Sequence, residues 1–192
     1  MRMLLTTIAA AALAAALPAW GADEAELLPL SRQTAAELLQ RLGKELREEL
    51  AKGGPEGAIE VCKRIAPEIA GQLSRQSGAR VARVSLRTRN PMLGTPDAWE
   101  QDVLAEFDRR AAQGEKLDTL EQARIVDEPQ GRFYRYMKAI PVQPLCLTCH
   151  GTQATIPDAV KERLKAEYPH DKATGYAAGQ IRGAVTIKWP LP

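Results

Sequence analysis

The chemistry of this 192-residue sequence concentrates in three cysteines and two histidines. Cys146, Cys149 and His150 stand together as Cys-Leu-Thr-Cys-His, while Cys62 and His170 lie apart. Two thiols three positions apart can both reach one edge of a flat macrocycle within a single turn of chain, where they add to its two vinyl groups. An imidazole on the next residue then points beneath the ring and reaches its iron without further chain reversal. The spacing therefore predicts one haem c, covalently held through Cys146 and Cys149, with His150 as the proximal iron ligand.

Other uses of the same residues fit less well. A structural zinc site would need two more ligands at typical spacings, and only Cys62 and His170 remain, both distant. A thioredoxin-like dithiol needs its pair at a helix start after a strand, whereas this pair follows Pro141 and Pro144. A plain disulfide leaves the adjacent His150 without a role. Three cysteines is an odd number, so at least one thiol stands outside any internal disulfide. Cys62 falls on the apolar face of a predicted helix, where a free thiol is ordinarily inert packing. As a candidate for the sixth iron position it stands beside His170, Met92 and Met137. His170 sits between Pro169 and Asp171, which suits an exposed side chain, and Met137 lies on a strand pattern, which suits the core. The choice of ligand sets the chemistry: Met raises the reduction potential and suits an electron carrier, whereas a thiolate lowers it.

Residues 1–22 read as a secretory signal, with Arg2 as the positive end, an Ala/Leu-rich run from Met3 to Leu17, and small residues at Ala19, Gly21 and Ala22. The run is shorter than the ~20 residues of a spanning helix and contains Thr6 and Thr7. Cleavage is expected to leave residues 23–192 as one periplasmic domain with no membrane span. Export agrees with haem c attachment, which takes place outside the bacterial inner membrane. The 25 basic and 24 acidic residues that remain nearly balance, which argues against a nucleic-acid partner.

The elements that must position these residues follow from periodicity. Leu39, Leu42, Leu46 and Leu50 predict a helix over 31–51, ended by Gly53-Gly54. A second helix begins near Pro55, with Ile59, Cys62, Ala66, Ile69 and Leu73 on its apolar face and a kink or restart at Pro67. Residues 80–87 look extended, and Asn90-Pro91 to Gly94 look like a loop. Thr95-Pro96-Asp97 then caps a helix running to Ala112. Segments 122–126 and 132–140 flank Asp127-Glu128-Pro129-Gln130-Gly131 as a hairpin. A helix over 157–167, a Gly-rich loop from Tyr168 to Gly179 and a strand over 181–189 complete the chain. This order predicts an α+β fold with a small antiparallel sheet, N-terminal helices and the haem motif near the C-terminus. Small cytochromes c are nearly all helical and carry the motif near the N-terminus, so that fold is excluded. Arg83, Arg87 and Arg89 have the chemistry to pair with haem propionates, but their alternation reads more simply as a solvated strand face. Phe133, Tyr134 and Tyr136 are read as core before haem wall.

Several segments together resemble a family of PAS-like c-haem domains, typed by a cyanobacterial haem protein. They are Cys62-Lys63-Arg64-Ile65-Ala66-Pro67, Arg83 to Arg87, Arg89-Asn90-Pro91, Pro96-Asp97-Ala98-Trp99-Glu100, Cys146 to Gly151, Gly175-Tyr176, and Gly179 through Arg182-Gly183-Ala184. The resemblance spans about residues 30–189 and departs at Met92-Leu93-Gly94, where an Asn before the Pro-Asp pair is expected. It implies a PAS-like fold and iron held by His on one side and Cys on the other, which by motif are His150 and Cys62. It further implies a low-potential redox or ligand sensor, or a redox module, passing its signal to a separate redox or signalling protein. The alternative is a periplasmic electron-transfer cytochrome c. A peroxidase needs an open distal side with acid/base residues, and of two histidines one is already used, so no enzymatic role is expected.

Overall fold

The structure, a computed structural model, describes residues 24–192; the expected signal segment lies outside the described residues. Helix α1, Glu24–Glu60, begins earlier than the leucine spacing suggests. Leu27, Ser31, Ala35 and Leu38 form one buried row along it, extending the apolar face upstream. Ser31 lies in this row because its hydroxyl accepts the Trp189 indole N–H at 2.9 Å. The helix breaks at Gly54, whose φ of 66° favours a residue without a side chain, and Pro55 restarts it.

The chain next widens into a π turn, Val61–Ile65, before α2, Ala66–Ser77. Pro67 explains the turn. Its ring would clash with the carbonyl four residues back and it has no N–H to offer. The donor before it, Ala66, instead reaches the Val61 carbonyl. The expected kink is therefore an extra residue within a continuous helical path. Cys62 lies in that widened turn. Gly78, at φ 78°, closes α2.

Strand β1 is Arg80–Val84, shorter than the extended run expected. Asn90 caps the one-turn helix α3, Pro91–Gly94, by accepting from the Met92 N–H, so the predicted loop is partly helical. Helix α4, Ala98–Ala112, starts with a capping box in which Asp97 and Glu100 satisfy each other's backbone N–H groups. The hairpin forms as β2, Glu121–Glu128, and β3, Gly131–Pro141. One-turn α5, Leu147–His150, then α6, Asp158–Glu167, and β4, Ile181–Pro190, follow.

The sheet is antiparallel throughout, in the order β1-β4-β3-β2, so the last strand lies inside it. Alternation along β3 and β4 supplies two cores. Tyr134, Tyr136, Val185, Ile187 and Trp189 pack under α1 and α2. Met137, Ala139 and Ala184 pack against Leu104 and Phe107 of α4. Arg135 is buried on the α4 side among Asp97, Glu100 and Glu128, at 2.7, 3.1 and 2.9 Å, with its guanidinium 4.6 Å above Trp99. The Pro96–Glu100 motif is thus spent on a helix cap and a buried ion network.

Candidate functional site

The two thiols ride on a short path pinned between β3 and β4. Val142 donates to Gln180 O at 2.8 Å and Gly179 donates back to Val142 O at 3.1 Å. From this clamp the chain enters a 3-10 turn, Pro144–Cys146, and then α5. All three cysteines are unpaired and half-buried. Cys149 packs against Ile59, Ile156, Val160, Leu164 and Tyr168, whereas Cys146 packs with Val142, Ala173 and Tyr176. The turn closes on Gly151, where a Cβ would come within 2.5 Å of the Leu147 carbonyl oxygen and 2.6 Å of the Thr155 hydroxyl.

His150 is fixed from both ends of its ring. Nδ1 lies 2.6 Å from the Ala173 carbonyl, which can only accept, so Nδ1 carries the proton. The lone pair therefore resides on Nε2, which accepts from the Arg182 Nε–H at 3.4 Å. Burial, followed by the charges of Arg182, Arg89 and Arg83, holds the imidazole's proton affinity well below its ordinary value and keeps it neutral. This is the state in which an imidazole binds a metal, and the carbonyl behind it is the usual orienting partner.

The loop carrying Ala173 is itself held in place. Tyr176 donates to His150 O at 2.9 Å and Gly175 to Gly151 O at 2.6 Å. The Tyr176 ring stands edge-on to the imidazole at 6.2 Å. Arg89, 8% exposed, donates to Asp171 Oδ2 at 3.1 Å, Cys149 O at 2.6 Å and Ala173 O at 3.4 Å. Arg87 lies 3.5 Å over the face of Tyr176 and donates to Thr174 O at 3.2 Å. The solvated strand face expected for these arginines is corrected on both counts. Both residues lie beyond the end of β1 and clamp the 171–176 loop against the thiol-bearing turn.

Cys62 lies on the π turn. Lys63 pairs with Glu167 and thereby ties that turn to α6, the helix against which Cys149 packs. Burial, with the neighbouring thiols adding to it, pushes the Cys149 thiol up to about 11. Burial likewise moves the Tyr168 phenol to about 12, with Cys62 contributing. The remaining candidates from the sequence lie elsewhere. Met137 is fully buried in the α4-side core, Met92 is 89% exposed and His170 is exposed. Phe133, Tyr134 and Tyr136 belong to the sheet, and the aromatic residues beside the cysteines and His150 are Tyr168 and Tyr176. A cleft of about 380 Å³ opens next to Arg182, lined by Ser85, Arg87, Leu104, Asp108 and Tyr176.

This donor set fits a covalently attached haem. Two unbonded thiols share one turn, an imidazole beside them carries its lone pair on Nε2, and a third thiol, Cys62, lies on the π turn that Lys63 ties to α6. Arg182 and Tyr176, which sequence reading did not single out as site residues, reach His150 only through the fold.

The chain is similar to the crystal structure of the cyanobacterial heme-protein Tll0287, with a TM-score of 0.60 and 26% identity, covering 89% of this chain and 98% of that one. No similar sequence is found among curated proteins. The family model described as Tll0287-like matches residues 19–190. The chain therefore belongs to the Tll0287-like family.

Proposed function

We propose that this chain is an exported c-type haem protein, a low-potential redox or ligand sensor or a redox module on a PAS-like scaffold. Cys146 and Cys149 form the two thioethers, His150 is the proximal ligand and Cys62 the second axial ligand. The observation that carries the reading is the His150 ring: Nδ1–H is bound to Ala173 O at 2.6 Å, and the Nε2 lone pair is presented one residue after the second free thiol. Membership of a family that includes a heme-protein supports it. The group, when bound, supplies reversible one-electron chemistry at iron. The chain supplies ligand identity, a tyrosine- and arginine-rich surround, and a helix distortion under Cys62 of a kind that recurs at functional sites. His150 and Cys62 would both hold the iron from the chain, and a haem held so would supply electron-transfer or redox-sensing chemistry.

Electron paramagnetic resonance of the oxidised protein, with Cys62→Ala beside it, tests the assignment. A low-spin thiolate signature in the parent that disappears in the variant is expected; an identical spectrum in both would exclude Cys62. Potentiometry separates sensor from carrier, because thiolate ligation demands a negative midpoint. A positive one would return the protein to the electron-transfer class.

A further inference from the structure

The cleft of about 380 Å³ holds two opposite charges that do not meet. Arg87 and Asp108 both line it and form no ion pair with each other. Among the described residues the Asp108 carboxylate has no hydrogen-bond partner either. Partial burial raises its proton affinity, and the charge of Arg87 opposes that shift without cancelling it. Arg87 is held in place but not spent. Its guanidinium lies 3.5 Å over the face of Tyr176 and gives one N–H to Thr174 O at 3.2 Å. Its remaining side-chain N–H groups have no acceptor among the described residues. The deep lining is apolar, with Leu104 2% and Ile181 6% exposed and Ala111 beside them. Small-molecule sites commonly pair an apolar lining with a few placed polar groups, in volumes of about 300–1,000 Å³.

The cleft opens on the α4 side of the sheet, whereas Cys149 packs between α1 and α6. None of the cysteines lines it, nor does His150. Binding here is therefore independent of the haem reading. We propose that this cleft takes a free α-amino acid with a small aliphatic side chain. The Arg87 guanidinium receives the carboxylate, Asp108 receives the ammonium, and the side chain packs on Leu104 and Ile181. An amino acid carries both charges near neutral pH and so completes both groups with charge-assisted hydrogen bonds. A dicarboxylate sets an anion against Asp108 and a diamine sets a cation against Arg87, so both are rejected. The occupant also bears on the neighbouring centre. Arg87 and Tyr176 pack the loop whose Ala173 carbonyl lies 2.6 Å from His150 Nδ1.

Isothermal titration calorimetry of the purified exported protein tests this with L-alanine and L-valine. Isovalerate and isobutylamine, which are valine without its amine and without its carboxylate, serve as one-ended probes. L-valine is expected to bind, and each one-ended probe to bind about tenfold more weakly or worse. Asp108→Asn is expected to lose about tenfold in affinity for L-valine and to bind isovalerate no more weakly than the parent does. Arg87→Gln is expected to show the mirror pattern, weak for L-valine and unchanged for isobutylamine. Thermal unfolding followed by circular dichroism checks that each variant is folded, and Asp108→Asn alone decides the matter if Arg87→Gln is not. A parent that binds neither amino acid, that binds isovalerate as tightly as L-valine, or whose affinity for L-valine survives Asp108→Asn would overturn the proposal. A parent chain without covalent haem would defeat the functional reading instead, and the titrations would still decide the occupant of the cleft.

Discussion

At the scale of single residues, Gly151 shows how little room the thiol-bearing turn leaves. Its backbone closes on the Leu147 carbonyl at 2.8 Å, and an added methyl would overlap that same oxygen and the Thr155 hydroxyl. Gly151→Ala must open the turn, at a cost of about 1–3 kcal/mol by analogy with overpacking. The expected outcome is reduced covalent haem per protein, read by the pyridine haemochrome, in a protein whose far-ultraviolet circular dichroism is unchanged. The Cys146–His150 motif is legible in sequence because its chemistry is local. Ala173 and Arg182 are not, since they reach His150 across 23 and 32 residues of chain. Arg89 defied its pattern for a related reason. Only the fold brings Asp171 and the Cys149 carbonyl to it, 82 and 60 residues away.

Among the elements, α4 carries the clearest energetic signature. Asp97 caps it and also binds Arg135, so Asp97→Ala loses a cap worth about 1 kcal/mol and one partner of a buried cation. Burial alone would raise the Asp97 carboxyl, but Arg135 and the Glu100 N–H outweigh it and hold it below the ordinary carboxylate range. A depressed folded-state pKa adds stability that is fully present above the unfolded value and is lost as pH falls through the folded one. Urea unfolding midpoints followed below about pH 4 should therefore fall more steeply in the parent than in Asp97→Asn. The Thr95-Pro96-Asp97 start was readable because caps obey short-range rules. The bulge at Cys62 was readable only as a disturbance at Pro67. Whether a proline kinks, ends or widens a helix depends on which carbonyl the preceding N–H finds, here that of Val61. Likewise the start of α1 at Glu24 depends on Trp189, at the other end of the chain, making Ser31 a buried residue.

On the scale of the whole molecule, the sheet joins two dissimilar halves. One face holds an apolar core under α1 and α2, and the other mixes apolar packing with the Arg135 network. That network links β1, β2, β3, β4 and α4 through Arg80, Glu128, Arg135, Thr186 and Glu100. Glu100 is 1% exposed, so removing Arg135 strips a buried carboxylate of its main partner. Arg135→Met is expected to cost about 3–5 kcal/mol in chemical unfolding, and Arg135→Met with Glu100→Leu to recover much of it. The α+β class was legible from element order alone. The placement of β4 between β1 and β3 was not, because strand order depends on pairings that periodicity does not encode. That placement matters for the site: β4 begins at Ile181 with Arg182 next to it, and β3 leads into the thiol turn, so two neighbouring strands bring the partners of His150 together. The central claim is the covalent haem, and intact mass together with the pyridine haemochrome of the exported protein tests it most directly. The account predicts one haem retained through denaturation in the parent and none in Cys146→Ala with Cys149→Ala; an exported parent chain of unmodified mass with three free thiols would contradict it.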